Sequence, residues 1–167
     1  MALVDYKSKF GKKLRLATLC FLLTEKTILL AMKKRGFGAG KVNGLGGKVK
    51  EGETVSVAVK REVLEEVGVH VQKLQRVAVL DFYFSDQSDW NQRVFVFIAH
   101  KWKGDPVESE EMKPAWYDLT EIPYDNMWID DQYWLPKVLA GQKVKAAFLL
   151  DSGGKELEHE VFQDLSK

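Results

Sequence analysis

Gly47-Lys48-Val49-Lys50-Glu51-Gly52-Glu53, and beyond it Arg61-Glu62-Val63-Leu64-Glu65-Glu66-Val67-Gly68-Val69, form the stretch on which the fold reading turns. The first piece reads as a loop. The second predicts a helix over 54–67, with Thr54 able to cap its start and Gly68 supplying the left-handed residue that ends it. Each helical residue turns about 100°, so Glu62, Glu65 and Glu66 share one face within an arc of about 100°. Three carboxylates that close repel one another and weaken a bare helix. A multivalent cation removes that penalty. Oxygen donors without Cys or His suit a hard ion, Mg2+ or Mn2+. Taken alone, a Glu-rich helix reads as a solvated face.

The run does not stand alone. A glycine, five residues, a glutamate, seven residues, Arg-Glu, an apolar residue, any residue, Glu-Glu, any residue, Gly and a further apolar residue follow in order. This spacing resembles the signature of the Nudix hydrolases at every position. The resemblance implies a loop-helix-loop that binds divalent metal and cleaves nucleoside diphosphates linked to another group. It also implies that Glu62, Glu65 and Glu66 carry metal and activate water, and that Glu53 and Arg61 brace the loop by an ion pair. Gly46 or Gly47 would offer a backbone carbonyl to the metal. Which glutamate is the base stays open.

Working outward, 167 residues suffice for one domain with a substantial core. A formal net charge of +1 gives no strong field toward a nucleic-acid polymer or a membrane, so a small-molecule substrate fits better. The one cysteine, Cys20, sits in an apolar run, which excludes an internal disulfide and points to a buried thiol. His70, His100 and His159 show no metal spacing. No stretch resembles a signal peptide or spans a bilayer, so the expected setting is the reducing cytoplasm and the expected state a monomer.

Residues 1–13 read as a loose basic lead-in, and 14–167 as a single domain. Strands are expected over 14–23, 28–33, 75–84, 92–102 and 114–119. A second helix should begin at Asp130 or Asp131 and stop before Gly141, and 144–150 with 156–162 should form a C-terminal hairpin about Ser152-Gly153-Gly154. Residues 33–47 hold six glycines. They do not fit a Walker loop, because Arg35 and Val42 stand where Gly and Ser or Thr are needed. A loop shaped for close approach to a ligand is the preferred reading. The order predicts an α/β fold, a mixed sheet in an α/β/α sandwich, which the resemblance also implies.

Three segments narrow the substrate. Met32-Lys33-Lys34-Arg35-Gly36-Phe37-Gly38-Ala39-Gly40 with Asn43 to Thr54, Gly104 to Pro114, and Ile122 to Pro136 closely resemble the Nudix branch that hydrolyses oxidised purine nucleoside triphosphates in animals. Physically, Trp128 and Phe37 offer stacking surface, Phe82 and Phe84 a wall, and Asn43 donors and an acceptor for a purine edge. Burial and mutual repulsion should raise one pKa of the Asp130–Asp131 pair, leaving that acid protonated as a donor. The resemblance implies that these two acids read the base, holding 8-oxoguanine and 2-oxoadenine alike. It places Thr18 and Lys33 at the sugar or phosphates, Trp134 as support for the pocket, and Glu111 as a further metal or water-activating acid. Taken singly, Trp128 and Trp134 read as core aromatics, Asp130–Asp131 as a helix cap, Asn43 as a turn residue and Glu111 as a solvated loop acid. The chain departs from that branch in three ways. Ile129 replaces a proline, the 85–91 loop is one residue longer, and the pocket methionine has no clear counterpart, Gln92 lying nearest. Competing readings are a Nudix pyrophosphatase for a methylated purine triphosphate, a dinucleoside polyphosphate, ADP-ribose or an RNA cap, and a non-catalytic binding module.

Overall fold

The computed structural model describes residues 1–165. In chain order the first elements are α1 (Leu3–Phe10), β1 (Arg15–Leu22), β2 (Thr27–Lys33), β3 (Val42–Asn43), α2 (Val55–Val67), β4 (His70–Val71) and β5 (Gln75–Phe84). There follow β6 (Gln92–Ala99), β7 (Trp102–Lys103), β8 (Met112–Asp118), α3 (Asp131–Leu139), β9 (Val144–Leu150) and β10 (Glu156–Gln163). The central sheet runs β1-β6-β5-β9-β10. Its β1–β6 and β5–β9 pairs are parallel, and its β5–β6 and β9–β10 pairs antiparallel. A second sheet, β3-β2-β8, and the small β4–β7 pair complete the strands.

Both faces of β6, β5 and β9 and most of β1 are covered, so these strands read as nearly continuous apolar runs, whereas the edge strand β10 is mostly exposed. Along β1, Ala17 and Phe21 face one core, while Cys20 and Leu22 face the other. On the first face Phe21, Leu80, Val96 and Phe148 pack against Trp134, Leu135 and Val138 of α3 and against Leu30 of β2. On the second face Val59, Val63 and Val67 of α2 pack onto Cys20, Leu22, Phe97 and Ala99. Each of those valines is fully buried, contributing about 1.5–3 kcal/mol by leaving water. That burial, rather than the repelling glutamates, holds α2 in place. Thr54 caps α2 by accepting the Val57 N–H at 3.2 Å, and Gly68 ends it at φ 74°. The result is the expected mixed sheet in an α/β/α sandwich.

The beginning of the chain differs from expectation. Residues 3–10 are helical, not a loose lead-in. Leu3, Tyr6 and Phe10 form an apolar stripe at helical spacing that docks α1 on Tyr83, Ala147 and Leu149. Lysines between them hid the stripe. The expected strand over 92–102 breaks after Ala99: β6 stays in the central sheet, while Trp102 pairs with Val71 in the small one. The 33–47 loop carries β3, paired antiparallel with β2.

Candidate active site

Topology places the glycine loop beside the start of α2. Isolated antiparallel bridges, Ala17 to Lys48 and Cys20 to Leu45, lay the loop along β1. The Gly47 carbonyl accepts the Thr18 N–H at 2.8 Å and the Thr18 hydroxyl at 3.2 Å. A Cβ on Gly46 would stand 2.0 Å from the Thr18 carbonyl oxygen, and one on Gly47 would stand 2.6 Å from the Glu62 carboxyl carbon. Only glycine permits that double approach. With the Gly47 carbonyl held by Thr18, Gly46 is the more available of the two candidate carbonyls.

Arg61 ties the box together. Its Nε and Nη2 donate to Glu53 at 2.7 and 2.9 Å, and its Nη2 also reaches the Lys48 carbonyl at 3.1 Å. Its Nη1 donates to Glu62 at 2.8 Å and to Glu65 at 3.2 Å. The Arg61 guanidinium, through these hydrogen bonds, pulls the Glu53 carboxyl down to about 2. The expected brace between Glu53 and Arg61 is therefore present.

The three box glutamates differ in setting. Glu65 is half in solvent and Glu62 mostly covered, while Glu66 is 4% exposed. The Gly46 N–H donates to Glu66 Oε1 at 3.2 Å, and Oε2 is buried with no hydrogen-bond partner. Burial pushes the Glu66 carboxyl up to about 8 against the restraining Gly46 amide, and the charges of Glu62 and Glu111 add to the rise. Glu111 lies just before β8, exposed, its carboxylate 3.5 Å from Arg35. Among the described residues, no three His, Cys, Asp or Glu side chains stand in a metal-coordinating group. The donor set nevertheless fits a hard divalent cation, because a buried, unpartnered carboxylate oxygen beside a second carboxylate is costly without a positive partner.

A cleft of about 280 Å³ runs across the first face of the sheet and meets the box at its glycine loop, whereas Glu53, Arg61, Glu62, Glu65, Glu66 and Glu111 do not line it. Thr18, Lys33, Phe37, Asn43, Phe82, Phe84, Trp128, Asp130, Asp131 and Trp134 all line it, so the structure brings together every residue picked from the sequence for substrate. Gly46, Gly47 and Lys48 line its other end. Phe37 stacks on Trp128 with centroids 5.2 Å apart, and Phe82 on Phe148 at 5.4 Å. Asn43 keeps part of its turn role, its side-chain oxygen accepting the Gly44 N–H at 2.8 Å.

The aspartates sit at the base of the aromatic end, 4% and 2% exposed. The Trp134 indole N–H donates to Asp130 Oδ2 at 2.9 Å, whereas Asp131 Oδ2 has no partner. Burial raises the pKa of both. The charge of Asp130 raises Asp131 further, while the indole favours charge on Asp130. Asp131 is thus the member of the pair that keeps its proton and can donate it to a ligand. Sequence reasoning passed over Lys41, whose Nζ lies 5.3 Å from the Trp128 ring centroid and whose charge acts on Asp131. It also passed over Met112, another lining residue. Neither carries a local signal, since only the pairing of β2 with β8 brings Met112 to Lys33.

Loop, helix box and cleft on a mixed sandwich define a class, and a NUDIX domain model matches residues 13–138: the chain belongs to the Nudix family. Hydrolases of this family need divalent metal ions. Its relatives narrow the likeness. Over 147 residues it is 40% identical to the oxidized purine nucleoside triphosphate hydrolase of Danio rerio, covering 88% of this chain and 94% of that protein. Over 129 residues it is 47% identical to the Mus musculus protein of the same name, covering 77% and 82%. A solved structure of a mutator MutT protein from Bacillus halodurans superposes with a TM-score of 0.79 at 24% identity, covering 89% of this chain and 97% of that one, and shares the fold.

Proposed function

We propose that the protein is a nucleoside triphosphate pyrophosphohydrolase acting on oxidised purine (deoxy)nucleoside triphosphates, 8-oxo-dGTP and 2-oxo-dATP among them. The products would be the nucleoside monophosphate and pyrophosphate. Removing such precursors would sanitise the nucleotide pool. One observation carries the reading: a single cleft holds the buried aspartate pair and the Trp128 platform at one end and the Gly46–Gly47 loop at the other, and the Gly46 N–H donates to Glu66 of the box. A nucleotide has the same two-ended chemistry, a flat base with a polar edge and a string of phosphates. The names of the Danio rerio and Mus musculus relatives support the choice of base.

Glu62, Glu65, Glu66 and Glu111, with the Gly46 carbonyl, are the groups that would hold divalent metal, Mg2+ in the cell and Mn2+ as a substitute. Bound there, the ion supplies positive charge against the phosphates and acidifies nearby water. The protein's own part begins at the base. Protonated Asp131 donates to the oxidised purine edge, anionic Asp130 accepts from it, and Trp128 carries its face. A proton passing between the two acids lets one site take both bases. Lys33 and Thr18 face the sugar and phosphates. A box carboxylate takes the proton of a water, whose oxygen attacks an inner phosphorus as the bridging P–O bond between the α and β phosphorus atoms breaks, giving the monophosphate and pyrophosphate. Base recognition in the cleft needs no polymer groove, consistent with a monomeric cytoplasmic enzyme.

The test is a panel of nucleoside triphosphates, the two oxidised purine compounds among them, assayed with Mg2+ for pyrophosphate release. Cleavage of the oxidised purines well ahead of dGTP and dATP is the expected result. Preference for a dinucleoside polyphosphate, ADP-ribose or a capped RNA would replace the substrate. Turnover of none would leave a binding module.

A further inference from the structure

Phe37 does more than stack on Trp128. Its ring also meets Trp90, with centroids 4.7 Å apart and planes at 54°. Trp90 in turn meets Phe84 edge-on at 5.6 Å and 83°. Four rings therefore run in one train, Trp128–Phe37–Trp90–Phe84, from the platform of the cleft to its wall. Three of them, Trp128, Phe37 and Trp90, lie outside the strands and α-helices, and only Phe84 stands on a strand. Trp90 ends a short 3-10 turn over Ser88–Trp90, in the loop between β5 and β6.

The Gly40 N–H closes the Phe37 loop on the Lys33 carbonyl at 2.8 Å, while the Phe37 side chain meets the rings of Trp90 and Trp128. Phe37 is 52% exposed. Gly36 and Gly38 flank it at φ 81° and 82°, a left-handed backbone open to few other residues. The loop of Trp90 is also pinned at both ends. The Asn91 side chain is buried and accepts the Phe84 N–H at 2.8 Å. The Asp86 carboxylate accepts both the N–H and the hydroxyl of Ser152, from the β9–β10 turn. That same turn brings Gly154 against Trp128, where an added Cβ would stand 3.4 Å from the indole. One brace thus fixes both Trp90 and Trp128, and Phe37 lies between the two rings it fixes.

We propose that Trp90 is a positioning and specificity-determining residue, holding Phe37 over the Trp128 platform and so setting the opening of the aromatic slot to a flat oxidised purine. The inference rests on the substrate reading above and goes beyond it. Trp90 is not among the residues lining the cleft and acts through Phe37.

The experiment measures kcat and KM for 8-oxo-dGTP, and the dissociation constant of the unhydrolysed product 8-oxo-dGMP, in the wild type, Trp90→Ala, Trp90→Phe, Phe37→Ala and the double variant. An aromatic contact of this kind accounts for up to about tenfold in an equilibrium. Trp90→Ala should therefore raise KM and the product dissociation constant by about tenfold, with kcat changed less than about twofold, and Trp90→Phe should recover most of the loss. In the Phe37→Ala background the Trp90→Ala effect should vanish, because the two residues act as one unit. Additive effects, or a fall in kcat at unchanged KM, would overturn the proposal. If Trp90→Ala does not fold, Trp90→Leu replaces it in the same cycle. A wild type that cleaves oxidised purines beside insensitive Trp90 variants sinks this inference alone. A wild type that cleaves none sinks the substrate reading and this inference with it.

Discussion

Glu66 lies farther from water than the other box carboxylates, and its buried Oε2 has no hydrogen-bond partner. Glu66→Gln keeps an oxygen for the Gly46 N–H and removes the repulsion from Glu62. Turnover of 8-oxo-dGTP should fall by about a thousandfold or more, as expected for losing an acid-base or ion-holding group, while the melting temperature holds or rises. An active Glu66→Gln enzyme would remove Glu66 from the chemistry. The aspartates allow a second test, through pH. Asp131 titrates well above its ordinary value of 3.8, so the folded protein holds its proton more tightly than the unfolded chain. Stability from this group is therefore greatest at low pH and is lost as pH rises from about 3.8 through the raised folded value. Asp131→Asn removes the titration. Melts from about pH 5 to about pH 8 should show wild type losing stability relative to the variant, by a few degrees if the difference is about 1 kcal/mol. Parallel melting curves would contradict the assignment. The acid pair itself was legible in the sequence as adjacent aspartates among aromatics. Which member keeps the proton was not, because that depends on the Trp134 indole one helical turn away.

At the scale of elements, α2 shows what short-range reading does well. Its cap and its left-handed stop follow from spacing, and each has its counterpart in the structure. Helix α1 shows the opposite case. Its apolar residues are few and set among lysines, and their meaning depends on a partner surface of Tyr83, Ala147 and Leu149, far along the chain. Leu3 is 1% exposed there. Truncating it to Ala should cost about 2–3 kcal/mol, toward the low end for a buried leucine because the helix lies at the edge of the fold. The substitution is remote from the cleft, so kcat for 8-oxo-dGTP should stay within about twofold of wild type. Chemical denaturation read beside activity checks both halves. A Leu3→Ala protein as stable as wild type would mean that α1 contributes little to the sandwich. The split of the long run over 92–102 has the same cause. An apolar strand pattern does not record which sheet receives its far end, and Trp102 goes to Val71.

For the whole molecule the question is how residues distant in sequence come to share one cleft. The cleft's chemistry was legible as a set of residue types, yet their meeting was not. Thr18 reaches Gly47 only because the loop lies antiparallel along β1, and Lys33 reaches the same cleft because β2 pairs with β8. The two-ended layout makes a prediction that single substitutions can resolve. Any ligand that binds the folded state alone raises its stability by an amount set by its concentration over its dissociation constant, about 2.7 kcal/mol at a hundredfold excess. Mg2+ should raise the melting temperature through the glutamate box, and 8-oxo-dGMP through the aromatic end. Glu66→Gln should then lose most of the Mg2+ shift and keep most of the nucleotide shift, while Trp128→Ala should do the reverse. EDTA should abolish turnover and cancel the Mg2+ shift without unfolding the protein, since the valines of α2, not the ion, hold the box helix on the sheet. If either variant lost both shifts equally while remaining folded, base and phosphates would not occupy separate ends of one cleft, and the assignment of the aromatic slot to the purine would have to be given up.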